Sequence, residues 1–308
     1  MIPNLKNMNI FYINLKDSLD RKQKFLKYEQ NVKRFPAING KKYADNEEFK
    51  KKISLMTQSK IYFNNRNVAE EINSIGAIGC SLSHYFLWCY FLNEKIDEDY
   101  LNYIDVDEKE EIQKLILKKN NSIEDEYLFV LEDDSSFDYS KNIDIIQKEL
   151  SGIINNIGND WDIYLIDCIR RDDENFTSEE HFSIVNNSNT INSSTNLKCN
   201  EKYCKVLSFF GTHSYIIKKS AVKKIIPYFY PIECHIDAFL GLLAQKKVIN
   251  IVTTTTKIVT QLGYFHSTIN HTYNNYIINR YLHFIIIFVL ILIIIVLSVI
   301  IISVRKNS

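Results

Sequence analysis

The run VLEDDSSF (130–137) sets three consecutive carboxylates, Glu132, Asp133 and Asp134, directly after the apolar stretch YLFVL. Like charges this close repel, so the triplet is stabilised either by a cation or by water. Two or three carboxylates at a strand end can hold Mn²⁺ or Mg²⁺, and a hard divalent ion held there bridges to the phosphates of a diphosphate. If strand geometry persists, Glu132 and Asp134 share one side and Asp133 takes the other; a turn would change this. Taken alone, the triplet fits a solvated acidic turn at least as well.

The elements that would position these carboxylates alternate between strand and helix. MNIFYINL (8–15) reads as a buried strand followed by the polar, helical KDSLDRKQKFLKYEQ. RFPAING (34–40) reads as a second strand ending in a turn at Asn39-Gly40. IGAIGCSLSHYFLWCYFLNEK (75–95) has helical apolar spacing, with Ser81 or Ser83 as a cap. YLFVL (127–131) and DIYLID (162–167) are core strands separated by the helical IDIIQKELSGIINNI (143–157). VLSFFGTHSYIIKKSAVKKII gives a strand, a turn at Gly211 and a helix, and VINIVTTTT (248–256) a late strand. This alternation predicts an α/β sheet with helices on both faces, and ligands of such sheets sit at the carboxyl ends of the strands. The acidic triplet lies at one such end. Residues 96–126 read as an exposed, charged helical insertion, and 172–205 as a polar loop.

The chain has 308 residues, with Lys+Arg and Asp+Glu both 37, so its charge does not point to nucleic acid as the main partner. The six cysteines lack metal-ligand spacing and read as free thiols; Cys199 and Cys204 could pair in an oxidising compartment. FIIIFVLILIIIVLSVIIISV (284–304) is uncharged and long enough to cross a bilayer as a helix. The N-terminus lacks the apolar stretch of a signal peptide. The expected topology is a single C-terminal transmembrane anchor with a large cytosolic domain (1–280).

Blocks on either side of the acidic run stand in a recognisable order. YINLKDSLDRKQKF, RFPAINGK, IGAIGCSLSHYFLW and FVLEDDSSF are followed, more loosely, by WDIYLID, GTHSYIIKKSAVKKI, PIECHIDAFL and IVTQLGYFHSTI. This series resembles glycosyltransferase family 25, which includes bacterial lipooligosaccharide galactosyltransferases and collagen hydroxylysine galactosyltransferases. The resemblance spans about residues 8 to 270. It implies a GT-A type nucleotide-sugar-binding domain, a UDP-sugar donor such as UDP-galactose or UDP-glucose, a divalent metal and an inverting transfer.

Carried over residue by residue, the resemblance makes Glu132, Asp133 and Asp134 the metal motif, with His266 as a late ligand. Asn14, Arg21, Gly76, Gly79, Ser83 and His84 fall on the donor side, and Gly211 and Thr212 on the acceptor side. Gln261 and Ser267 match without an obvious role. An inverting transfer needs a base for the acceptor hydroxyl. Asp237, opening the helical stretch in HIDAFLG, is the candidate, with Glu233 and His235 as fallbacks; a helix cap would explain Asp237 as well. The acceptor would be a hydroxyl of a glycan or a collagen-like protein. Residues 96–126 and 172–205 depart from the family pattern, and the apolar tail is extra to it. Two rivals stand beside the metal-dependent hexosyltransferase: an inactive membrane-tethered relative acting as a scaffold, and a metal-dependent phosphohydrolase.

Overall fold

The computed structural model describes residues 8–28, 31–63, 71–72, 74–92, 98–119, 126–137, 143–166, 169–170, 202–254 and 258–261. The expected transmembrane run 284–304, most of the polar loop, His266 and Ser267 lie outside these residues. The strands are β1 (Asn9–Asn14), β2 (Val32–Pro36), β3 (Tyr127–Glu132), β4 (Ser135–Phe137), β5 (Ile163–Leu165), β6 (Ile169–Arg170), β7 (Cys204–Lys205), β8 (Phe209–Phe210), β9 (Ser214–Lys218), β10 (Ile251–Thr253) and β11 (Val259–Gln261). The helices are α1 (Leu19–Leu26), α2 (Glu47–Lys51), α3 (Leu55–Tyr62), α4 (Ile75–Leu92), α5 (Glu98–Asn102), α6 (Val106–Lys119), α7 (Ile143–Ile157), α8 (Lys219–Ile225) and α9 (Ile236–Gln245).

Seven strands form one mixed sheet in the order β2-β1-β3-β9-β5-β10-β7. Strands β2, β1 and β3 are parallel, while β9 runs antiparallel to both β3 and β5. Strands β5 and β10 are again parallel. One edge of the sheet therefore collects the carboxyl ends of β1, β2, β3, β5 and β10 together with the amino end of β9. The pairs β4–β11 and β6–β8 form two small ribbons.

Strand side chains alternate between two cores, as the period of two requires. Phe11, Ile13, Leu128, Val130, Tyr215 and Ile217 face one core, where α4, α8 and α9 pack. Ile10, Tyr12, Phe129, Leu131 and Ile216 face the other, closed by Phe25 of α1 and by Ile146, Leu150 and Ile154 of α7. Both faces of the sheet are thus covered, as expected.

Three elements differ from the sequence reading. SYIIK, expected at the start of a helix, is the buried central strand β9; its aromatic and β-branched residues fit a pleated surface, and the helix begins only at Lys219. The charged segment 96–126 contains helices α5 and α6, but it is not merely an exposed insertion. Tyr100 is buried, its ring stacks on Phe35 at 5.4 Å, and its hydroxyl donates to the Pro36 carbonyl at 2.7 Å. Cys204, read as a free thiol by default with pairing left open, is disulfide-bonded, whereas Cys80, Cys89 and Cys234 are not in disulfides. Helix α4 is long and apolar enough to cross a membrane, but most of it is buried inside the protein.

Candidate active site

Asp133 and Asp134 form the turn that joins β3 to β4, so strand geometry ends at Glu132. This sends the first two carboxylates to different neighbours. Asp133 meets the carboxyl end of β1, next to β3 in the sheet. Strand β1 has β2 on its other side, so this is the switch point of the parallel strands, where α/β sheets bind ligands. Asn14 Nδ2 donates to Asp133 Oδ2 at 2.9 Å, and Arg21 of α1 donates to Oδ1 at 2.6 Å. Burial pushes the Asp133 carboxyl up, and Arg21 and Asn14 pull it only part of the way back.

Asn14 is itself fixed from behind. Arg34 Nε donates to its side-chain oxygen at 3.1 Å, and Arg34 Nη2 to its carbonyl at 2.9 Å. The same guanidinium pairs with Glu108 at 2.6 Å and Glu111 at 2.8 Å, both on α6. Removing one partner from so buried a pair costs about 3–5 kcal/mol, so α6 is tied firmly to this edge. Arg21 and Lys24 sit three residues apart on α1, and Lys24 feels the charges of Asp133 and Asp134. Its desolvation outweighs them and lowers the amine to about 8.

Glu132 turns to the other core. His84 Nε2 lies 3.2 Å from Glu132 Oε1, and Thr212 Oγ1 donates to that oxygen at 2.6 Å. Burial raises the Glu132 carboxyl, but the His84 and Thr212 contacts more than offset it and leave it lowered. Among the described residues Oε2 has no hydrogen-bond partner. Asp134 is half-buried in the turn. Glu132 and Asp134 are the carboxylates of the triplet that could take part in holding a hard cation, whereas each Asp133 oxygen already accepts a hydrogen bond from Asn14 or Arg21. Cys80 Sγ also lies within 4.8 Å of ligand atoms on His84 and Glu132, but a thiol is a soft ligand suited to other metals.

Asp237, in the first turn of α9, accepts from the Gly211 N–H at 3.0 Å and from the Ala238 N–H at 2.7 Å. Gly211 has φ +88°, a conformation that favours glycine, and this turn delivers Thr212 to Glu132. Asp237, Gly211, Thr212 and Glu132 thus form one connected line. Glu233 is exposed, and His235 precedes α9 without capping it through its side chain. Gln261 pairs with Ser135 through the β11–β4 ribbon.

The other donor-side candidates do not join the acidic cluster. A Cβ on Gly79 would lie 2.4 Å from the Ile38 carbonyl oxygen and 2.6 Å from the Gly40 nitrogen, so Gly79 serves close packing of α4 on that loop. Ser83 lies within α4, not at its cap; it accepts from the Ile38 N–H at 2.8 Å and donates to the Gly79 carbonyl at 2.7 Å. Ser81 is likewise inside the helix, and the hydroxyl that meets its start is that of Ser74, accepting from the Gly76 N–H. Sequence reasoning missed Lys24 and Arg34. Only Lys24 left a trace, its helical spacing from Arg21.

The chain matches the family described as Glycosyltransferase family 25 (LPS biosynthesis protein) over residues 7–108 and 111–240 of its 308. The chain belongs to glycosyltransferase family 25. Family 25 is a family of glycosyltransferases, and the match covers β1, the start of α4, the acidic turn and Asp237. The block at 258–269 falls beyond it. No curated protein shows significant similarity to the chain.

Proposed function

We infer that this family 25 chain is a metal-dependent, inverting hexosyltransferase of GT-A type, using a UDP-sugar such as UDP-galactose or UDP-glucose. The observation that carries the reading is the placement of Glu132, Asp133 and Asp134 at the end of β3, beside Asn14 at the β1–β3 switch point. Glu132 and Asp134 would hold Mn²⁺ or Mg²⁺, which would supply positive charge against the departing diphosphate. Asp133 anchors Arg21 and Asn14 at the base of the donor site. Lys24 adds positive charge on the same side.

The acceptor enters from the side of Gly211 and Thr212. Asp237 is the base of this account. Its carboxylate stands in the first turn of α9 and is held by the Gly211 and Ala238 amides beside the Gly211–Thr212 turn. As that oxygen attacks the anomeric carbon, the bond to the UDP oxygen breaks and Asp237 takes the proton. A single displacement of this kind inverts the anomeric centre. The acceptor is a glycan hydroxyl, in keeping with the family's description, or one on a collagen-like protein. The run 284–304 anchors the chain in a membrane with its catalytic domain on the cytosolic side.

The test is incubation of the full chain with a panel of UDP-sugars and candidate acceptors, with Mn²⁺ and with chelator. Metal-dependent UDP release with one sugar supports the reading. Release of phosphate without UDP would replace it with phosphohydrolysis, and no turnover or binding of any donor would favour a scaffold.

A further inference from the structure

Behind Glu132 lies a line of buried polar groups that the family match does not explain. Helix α4 presents His84 and Trp88 four residues apart on one face, and β9 brings Tyr215 up to both. All three side chains belong to residues with 0 % exposure. Trp88 Nε1 is 3.0 Å from the Tyr215 hydroxyl, and that hydroxyl is 2.8 Å from His84 Nδ1. His84 Nε2 then reaches Glu132 Oε1 at 3.2 Å.

The chemistry of the groups fixes the direction of every proton. An indole N–H can only donate, so Trp88 occupies a lone pair on the Tyr215 oxygen. The tyrosine proton then needs an acceptor, and among the described residues only His84 Nδ1 is within reach. Nδ1 must therefore carry a lone pair, which places the ring proton on Nε2, aimed at Glu132. Any other arrangement strands a buried donor without an acceptor.

We propose that Trp88 and Tyr215 are positioning residues that lock His84 as the Nε2–H tautomer, so that His84 and Thr212 together pin Glu132 Oε1 and leave Oε2 for the donor complex. The role in transfer rests on the reading of Glu132 as part of the donor site. The tautomer does not. A second consequence is that His84 Nε2, being protonated, is not a cation ligand, although it lies close to Cys80 and Glu132.

The decisive experiment labels the full chain with ¹⁵N-histidine and reads the tautomer of His84 by long-range proton–nitrogen correlation. His84→Gln assigns the signals among the seven histidines. The expected result is a ring proton on Nε2 and none on Nδ1; a proton on Nδ1 overturns the proposal. Tyr215→Phe keeps the ring and removes the hydroxyl. It should release the tautomer preference and lower kcat about 10- to 100-fold, with KM changed less than about threefold. Unchanged kcat in a folded Tyr215→Phe protein overturns the positioning role. If that variant does not fold, Trp88→Phe, which removes the donor that orients the tyrosine hydroxyl toward His84, must show the same direction of change in both readouts. The tautomer is measured without substrate, so it decides the hydrogen-bond chain even if the unmodified protein transfers no hexose.

Discussion

Asp237 holds the Gly211 turn through backbone amides and is the proposed base, and one substitution separates the two roles. Asp237→Asn keeps an acceptor for the turn but removes the base. The account predicts that kcat falls about 10²- to 10⁴-fold while the melting temperature changes little. Loss of stability with kcat retained would assign Asp237 to the clamp alone. Lys24 yields a prediction about pH. Burial lowers its native pKa to about 8 from the usual 10.5, so between these values the unfolded chain binds more protons than the native one. Its contribution to stability therefore rises with pH across that window. Denaturant titrations of metal-free protein should show the wild type gaining on Lys24→Met from pH 8 to pH 10; parallel curves would contradict it. Of this site, the sequence made only the acidic run legible by chemistry. Asn14, Arg21, His84 and Thr212 came from family resemblance, because their partners lie tens of residues away. Arg34 and Tyr215 left no local pattern, and Lys24 was hidden in a lysine-rich chain.

At the level of elements, α4 is the hinge between packing and chemistry. Its first turn must touch the Ile38–Gly40 loop, and its next turns must bring His84 to Glu132. Gly79→Ala puts a methyl within 2.4 Å of a backbone oxygen, so it should destabilise by about 1–3 kcal/mol and weaken donor binding together. Gly152→Ala is the control. It lies in α7 with nothing within 4 Å of a new Cβ, and it should stabilise by up to about 1 kcal/mol. Equal melting temperatures for the two variants would show that the α4 contact is loose. Strands β1 and β3 were readable from unbroken apolar runs bounded by polar residues. Strand β9 was not, since SYII runs straight into the helical KKSAVKK and no turn residue separates them. The burial of α5 and α6 was masked by their charge; only the neighbours of Tyr100 and Glu108 show that one face is inside.

For the whole molecule, a doubly covered sheet gathers five carboxyl strand ends on one edge, and the acidic turn sits at the switch point of that edge. The proposed cytosolic placement of a domain anchored at 284–304 and the disulfide at Cys204 pull in opposite directions on location, because cytosolic thiols are kept reduced. Protease protection of membranes carrying the full chain distinguishes them: the cytosolic reading requires digestion of the large domain. The central claim, that Glu132 and Asp134 grip a sugar-nucleotide diphosphate through a divalent ion, is tested most directly by calorimetric titration of UDP into the full chain. The account predicts binding with Mn²⁺ that weakens at least about tenfold with chelator, and equally in Glu132→Gln and Asp134→Asn, whose folds remain intact. UDP binding of the same strength in all four cases, or none with Mn²⁺, would contradict it.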